Sequence, residues 1–238
     1  MFDWLRRLKK PTASSRSMLG NSTEPVVRVE VAEFAPGIIP YLGVVAIAQL
    51  ALYEAATQAV LGASKLEAKE ALAEIAADAL AKHQAFVTEL SRRGEEPHQV
   101  MRPFTNTVNR FRARLAVPDW HQHVLSVWLV GGLFDGFFAS LAEGLNDNYR
   151  KEAIRVLHDE TGRGRLQQLL GQEIAADPRL SDRLALWGRR LVGDTLLLAS
   201  EVLTLSERRE FDPAGMEPIF TEITAEHMRR MDSLGLTA

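Results

Sequence analysis

The 238-residue sequence has no cysteine, which excludes disulfide bonds, iron–sulfur clusters, thiolate zinc sites and a cysteine nucleophile. It lacks a large excess of either charge, since 28 basic and 31 acidic residues give a net charge of −3. The sequence as a whole therefore has no positive field that would indicate binding to nucleic acid. Glycine-rich phosphate loops, nucleophile elbows and zinc-protease motifs are missing as well. The composition that remains, 46% hydrophobic and 25% charged, is typical of a folded soluble protein.

The N-terminus lacks the apolar run that follows the basic residues of a secretory signal, so we expect a cytoplasmic protein. Residues 1–35 are predicted to be a basic and polar tail and linker, and residues 36–238 a single helical domain. In the tail, Trp4, Leu5 and Leu8 lie among basic residues. Two interpretations are open for this stretch: a solvated tail, or a surface for a membrane or a protein partner.

The longest apolar run, residues 37–60, is long enough to raise the question of a membrane span. Glu54 would then lie deep in lipid at a cost of about 2–4 kcal/mol. We therefore expect a buried helix of a soluble bundle and no transmembrane segment.

Helical periodicity dominates after residue 36, without strand-like alternation or a repeat of solenoid length. The predicted helix starts are Ser64 with Glu67, Asp119 and Ser181, and a bend is expected at Gly162 and Gly164. The predicted helices span about 38–62, 64–93, 119–145, 147–176, 181–208 and 217–233, with a candidate short helix over 108–115. Long helices with one longer crossover between the second and third predict an all-α, ferritin-like four-helix bundle with one or two extra C-terminal helices.

Each of the first four long helices carries an ionisable residue on or near its apolar face: Glu54, His83, Asp135 and Glu160. A carboxylate in a helix core is costly unless it is paired or bound to metal. Three acids and an imidazole that converge would suit iron or manganese. The alternatives are a hydrogen-bonded core histidine at His83 and a surface position for Glu160.

Several stretches carry a resemblance to a known family, and the most specific is Leu186–Gly193. The others are Tyr41–Gly43, Leu52–Glu54, Leu80–His83, Phe134–Phe138, Asp177–Arg179 and His227–Leu236. Over roughly residues 36–238 the sequence resembles the actinobacterial ferritin-like proteins described as tRNA-hydroxylase-like, or MiaE-like. In the true tRNA hydroxylases a non-haem di-iron site activates oxygen and hydroxylates an isopentenyl group on a modified adenosine.

The resemblance implies that Glu54, His83, Asp135 and Glu160 are metal ligands, but two positions depart from the family pattern. Leu80 stands where a bridging glutamate is expected, and Arg163 stands where the second histidine is expected. Gly136 also replaces an acid expected in closer relatives. Because Arg163 cannot lose its proton at working pH, it cannot bind a metal, but its guanidinium could pair with the acids in place of a cation.

Three hypotheses follow. The first is a divergent or metal-free ferritin-like protein with an incomplete ligand set. The second is an active di-iron or mononuclear iron oxygenase that acts on modified tRNA or a small molecule. The third is an iron-storage or oxidative-stress protein. Whether the protein is an enzyme, and whether iron or no cofactor binds, stays open at this point, and a homodimer is compatible with all three. Arg102, Arg110, Arg112 and Arg114 are the clustered basic residues that tRNA could contact, or else a solvated helix face.

Overall fold

The computed structural model describes residues 31–115, 117–158, 162–207 and 216–237, which are largely helical and contain no strand. The α-helices are α1 Ile38–Gly62, α2 Leu66–Arg92, α3 Pro97–Met101, α4 Thr105–Leu115, α5 Trp120–Glu143, α6 Arg150–Leu157, α7 Arg163–Ala176, α8 Pro178–Glu207 and α9 Glu217–Ser233. Two short 3₁₀ helices span Val31–Phe34 and Arg102–Phe104. The all-α class is confirmed, and the predicted role of residues 1–30 as a tail lies outside the described residues.

The four-helix bundle consists of α1, α2, α5 and the consecutive pair α6 and α7. Helices α1 and α2 form a tightly packed hairpin, and buried alanines such as Ala48, Ala55, Ala71 and Ala79 allow their backbones to approach closely. Helices α4 and α8 pack against α1 and α5, while α9 packs on α5 and α8. The ferritin-like bundle with extra C-terminal helices is therefore confirmed.

Helix α5 is the central element, with contacts to α1, α6, α7, α8 and α9. Its start is fixed as predicted, since the Asp119 carboxylate accepts a hydrogen bond from the Gln122 backbone N–H at 3.0 Å. Both α1 and α5 are long and apolar enough to span a membrane by length and composition alone. The apolar window is 61% buried in α1 and 89% buried in α5, which is the arrangement of core helices in a bundle.

The predicted fourth helix, 147–176, is wrong as a single element, because α6 ends at Leu157 and α7 begins at Arg163. Gly162 explains the interruption: its φ of +79° is in the left-handed region, which glycine adopts without strain. A side chain there would also meet the Ala71 carbonyl oxygen at 3.1 Å, so α7 starts directly against α2.

Two predicted caps are wrong for local reasons. The N-cap of α2 is Lys65, which makes no side-chain capping bond, rather than Ser64. Helix α8 begins at Pro178 rather than near Ser181, because proline fits the first helical turn. There the Asp177 carboxylate accepts a hydrogen bond from the Arg179 backbone N–H at 2.9 Å.

The crossover between α2 and α5 is mostly helical. The predicted short helix at 108–115 is confirmed as the second half of α4, whereas α3 was not predicted. The crossover packs closely on α1, because a side chain at Gly43 would approach Val100 to within 2.6 Å. This contact places α4 beside α1, where its arginines reach residues of the bundle.

A buried ion-pair cluster as the candidate functional site

Asp135, on α5, is the centre of a polar cluster inside the bundle, with only 4% of its surface exposed. Its Oδ2 atom accepts hydrogen bonds from Lys82 Nζ at 2.7 Å and from Arg163 Nη2 at 2.6 Å. Its Oδ1 atom accepts one from Gln49 Nε2 at 2.6 Å. Three helices, α1, α2 and α7, thus each direct one polar side chain to this carboxylate of α5.

A second acid extends the cluster along α2. The Lys82 ammonium also contacts Asp78 Oδ2 at 2.8 Å, one turn earlier on the same helix. Burial raises the pKa of Asp78 above its ordinary value, and the hydrogen bond from Lys82 opposes that shift. Gln49, Asp78, Lys82, Asp135 and Arg163, here called the buried cluster, contain two acids and two bases. Their formal charges cancel inside the bundle.

The local sequence of α5 and α7 positions Arg163. Gly131 lies one turn before Asp135, and a side chain there would come within 3.5 Å of Arg163 Nη2. The indole of Trp128 donates a hydrogen bond to the Arg163 carbonyl oxygen at 3.3 Å. Because Gly162 sets the start of α7 against α2, the guanidinium reaches the carboxylate from the bundle interior.

The structure brings together only part of the predicted site. Asp135 and Arg163 are in direct contact, as the ion-pair hypothesis expects. Glu54 instead pairs with Arg112 of α4, and its side chain is 40% exposed. His83 Nδ1 lies 2.8 Å from the Ala46 carbonyl oxygen, a helix-to-helix contact of a half-buried side chain. Glu160 lies outside the described residues, so the four-ligand metal site stays a prediction.

The residues of the buried cluster do not fit a metal centre. Metals bind the lone pairs of deprotonated ligands, whereas both oxygens of Asp135 already use lone pairs to accept hydrogen bonds. Two of the three bonds come from cationic groups. Across the described ranges no three histidine or acidic side chains are grouped closely enough to hold a metal ion. A divalent cation beside Asp135 would have to displace Lys82 and Arg163 from this carboxylate, and of the buried cluster only Asp78 would remain to balance them.

The apolar interior next to this region is closely packed. Between α1, α5 and α8 lies a cavity of about 10 Å³, lined by residues such as Val44, Phe134 and Leu198. That volume holds at most about one water molecule, far less than a substrate needs. What the arrangement can do chemically is to orient four helices through charge-assisted hydrogen bonds.

Gln49 and Lys82 were missed as site residues, although the sequence contained a signal for both. Alternating steps of three and four residues through the buried positions of α2 lead from Ile75 to Ala79, Lys82 and Phe86, with His83 one position off. In α1 the same spacing places Gln49 in the row that contains Leu42, Val45, Leu52 and Ala56.

Comparison with known proteins extends over most of this fold. Residues 32–210 match the family described as the ferritin-like domain of actinomycetes, a range that contains the whole buried cluster. No curated protein matches the sequence.

Proposed function

The chain belongs to the ferritin-like domain family of actinomycetes, and from this premise we propose that it is a non-catalytic member whose helical bundle serves as a binding scaffold. The observation that carries the proposal is the contact of both Lys82 and Arg163 with a single oxygen of Asp135. In this protein the ion pairs replace metal ions in two roles: they neutralise acids in the core, and they connect the helices.

The permanence of the positive charge supports this proposal. An arginine side chain stays protonated in proteins, and it presents donors only, so Arg163 cannot become a ligand. Lys82 is 2% exposed and contacts the carboxylates of Asp78 and Asp135 at 2.8 and 2.7 Å. Iron binding at Asp135 would therefore take this carboxylate from two buried cations and leave Asp78 as the one acid of the buried cluster to balance them.

The hydroxylase alternative, an iron-dependent oxygenase acting on modified tRNA, draws less support from the geometry. Of its expected ligands, Glu54 is engaged with Arg112 at the α1–α4 surface. The arginines proposed to contact tRNA are largely neutralised. Arg110 pairs with Glu201 at 2.7 Å, and Arg114 pairs with Asp194 at 3.1 Å. Iron storage draws no support from a particular contact. The cytoplasmic location and the existence of a partner stay predictions.

Metal analysis tests the proposal directly. The full chain and its Glu54→Ala and Asp135→Ala variants are purified from iron-supplemented cells, and iron and manganese are measured by mass spectrometry. We expect less than stoichiometric metal in the wild type and no change in the variants, since neither carboxylate binds metal. One or two iron ions per chain that both variants lose would refute the proposal and favour an oxygenase.

A gain-of-ligand variant is the matched positive control. The double variant Leu80→Glu with Arg163→His removes one buried cation. It also supplies a glutamate and a histidine at the two positions where this sequence departs from the tRNA-hydroxylase pattern. If Arg163 is what excludes iron, the double variant binds more iron than the wild type when both are prepared in parallel. Equal iron in the two proteins would mean that charge at residue 163 does not determine metal content.

A further inference from the structure

A cleft of about 230 Å³ lies on the outside of the bundle between α5 and α9. Its floor is apolar, with Leu133, Phe137 and Ile223, and the exposed Gly136 opens onto it. The volume is below the roughly 300–1,000 Å³ of small-molecule sites, so the cleft suits one or two large side chains rather than a free ligand.

The rim of this cleft is acidic. Glu143 contributes from the end of α5, and Glu222 and Glu226 contribute from α9. Glu226 is neutralised by Arg229 and Arg230, both at 2.7 Å. Glu222 accepts a hydrogen bond from the Ser140 hydroxyl, and neither it nor Glu143 has an ion-pair partner among the described residues. The cleft therefore presents an apolar floor beside two carboxylates available for cationic groups.

The described chain begins next to this cleft. The 3₁₀ helix Val31–Phe34 packs on α5 and α9, the two helices that form the cleft. Its contact with α5 is so close that a side chain at Gly144 would overlap the Ala32 carbonyl oxygen. Gly144 directly follows Glu143 of the acidic rim, so Val31, to which residues 1–30 are joined, lies near the end of the cleft.

The first ten residues have the complementary chemistry. They read MFDWLRRLKK, with Trp4, Leu5 and Leu8 on one helical face and four basic residues around them. We propose that residues 1–10 dock in the cleft of their own chain, with one or two of these apolar side chains on its floor and the basic residues beside Glu143 and Glu222. This is the recognition of an amphipathic helix by an apolar groove, with charges that fix its orientation.

The linker length makes docking within one chain favourable. Residues 11–30 are rich in serine and threonine, and a random coil of about 20 residues has an end-to-end distance on the order of 25 Å. Such a linker gives an effective concentration on the order of millimolar, so even a weak contact is substantially occupied. The proposal does not depend on whether the buried cluster binds metal.

Cysteine cross-linking of the full chain tests the proposal, and the cysteine-free sequence gives it no background. The pair Leu8→Cys and Ser140→Cys places one thiol in the tail and one in the cleft. The control pair Leu8→Cys and Leu61→Cys uses an 81% exposed position near the start of α5, at the opposite end of the bundle. Under mild oxidation we expect the cleft pair to form its intrachain disulfide at least about tenfold faster than the control pair.

Two further variants examine the chemistry of docking. Gly136→Leu adds a side chain to the lining of the cleft, and its Cβ atom meets nothing within 4 Å. Glu222→Lys reverses one charge on the exposed rim. Each should slow cross-linking of the cleft pair several-fold while circular dichroism stays unchanged, and added salt should slow the unmodified cleft pair as well.

Equal rates for the cleft and control pairs would overturn the proposal. Disulfides formed mainly between chains would also overturn it, and would indicate exchange of tails between two copies. If the cleft pair cross-links fast in the free protein and slows only when anionic lipid vesicles are added, docking in the free protein is still supported. If cross-linking of the cleft pair requires such vesicles, the tail is assigned to membrane binding and the docking proposal is refuted.

Discussion

Asp135 holds the bundle together through three donors, and the strength of this arrangement depends on its completeness. The side chains of Lys82 and Arg163 are 2% and 4% exposed, so water cannot replace the carboxylate if it is removed. A buried ion pair adds little net stability compared with apolar packing, but a buried charge that has lost its partner is strongly destabilising. The buried cluster should thus tolerate balanced changes much better than single ones.

Asp135→Asn is the sharpest single change, since it preserves shape and removes one negative charge. It leaves two buried cations with only Asp78 to balance them, and we expect a loss of about 3–5 kcal/mol in the free energy of unfolding. For a protein of this size that corresponds to a fall in Tm of roughly 6–20 °C. Urea and thermal denaturation followed by circular dichroism measure both quantities.

The double variant Asp135→Asn with Lys82→Met restores the balance of formal charge and should recover part of that loss, a coupling that a double-mutant cycle quantifies. Glu201→Gln is the matched control, because its ion pair with Arg110 is about half exposed and should be worth less than about 1 kcal/mol. Unchanged stability in Asp135→Asn would contradict the role given to the buried cluster.

The site was only partly predictable because α1 is apolar on more than one face. The row that contains Val44, Leu50 and Glu54 is as regular in spacing as the row that contains Gln49, and only packing decides which is buried. The outcome is clearest at Leu61, which continues the row of Val44, Leu50 and Glu54 at helical spacing and is 81% exposed. Asp135 was identified because α5 is apolar nearly all round, so its one acid had no exposed face available.

At the scale of elements, the adjacent glycines Gly131 and Gly132 allow side chains of neighbouring helices to lie close to α5. A side chain at Gly132 would overlap the guanidinium of Arg230, and one at Gly131 would approach Leu52 of α1 to 3.0 Å. Arg230 lies over the Trp128 ring at 5.9 Å and contacts Glu226 at 2.7 Å. The two glycines weaken α5 as a helix, and in return side chains of α1 and α9 can approach it closely.

Alanine substitutions within α5 separate these two effects. Gly136→Ala meets no atom within 4 Å and should stabilise the protein by up to about 1 kcal/mol through helix propensity alone. Gly132→Ala gains the same propensity but displaces Arg230 from Trp128 and Glu226, so we expect a net loss. Urea midpoints of the two variants measure the difference, and equal stabilisation of both would show that the approach of Arg230 does not matter.

Helix positions were largely predictable, because long apolar periodicity marks helices well even where their ends are uncertain. The predicted first and sixth long helices agree with α1 and α9 at both ends. The division between α6 and α7 could be predicted only as a bend. Whether a glycine ends a helix or merely weakens it depends on tertiary contacts such as that between Gly162 and Ala71, which spacing along one chain does not specify.

At the scale of the whole molecule, stability should depend on pH through a residue far in sequence from the buried cluster. His227 on α9 is 2% exposed, and within the described ranges neither ring nitrogen has a hydrogen-bond partner. Burial lowers the pKa of His227 from 6.5 to about 4. The unfolded chain therefore binds a proton that the folded protein excludes between these two values, and folding becomes less favourable as the pH falls from 6.5 to 4.

His227→Leu removes this proton and should flatten the acid side of the stability profile. From the two pKa values, the wild type should lose about 3 kcal/mol more than the variant between pH 7 and pH 4. At pH 7.5 the variant should be at least as stable, because it buries no unpaired polar group. Urea midpoints across this pH range measure both effects, with the exposed His98→Leu as control. Parallel profiles for the wild type and His227→Leu would mean that other groups set the acid sensitivity of the fold.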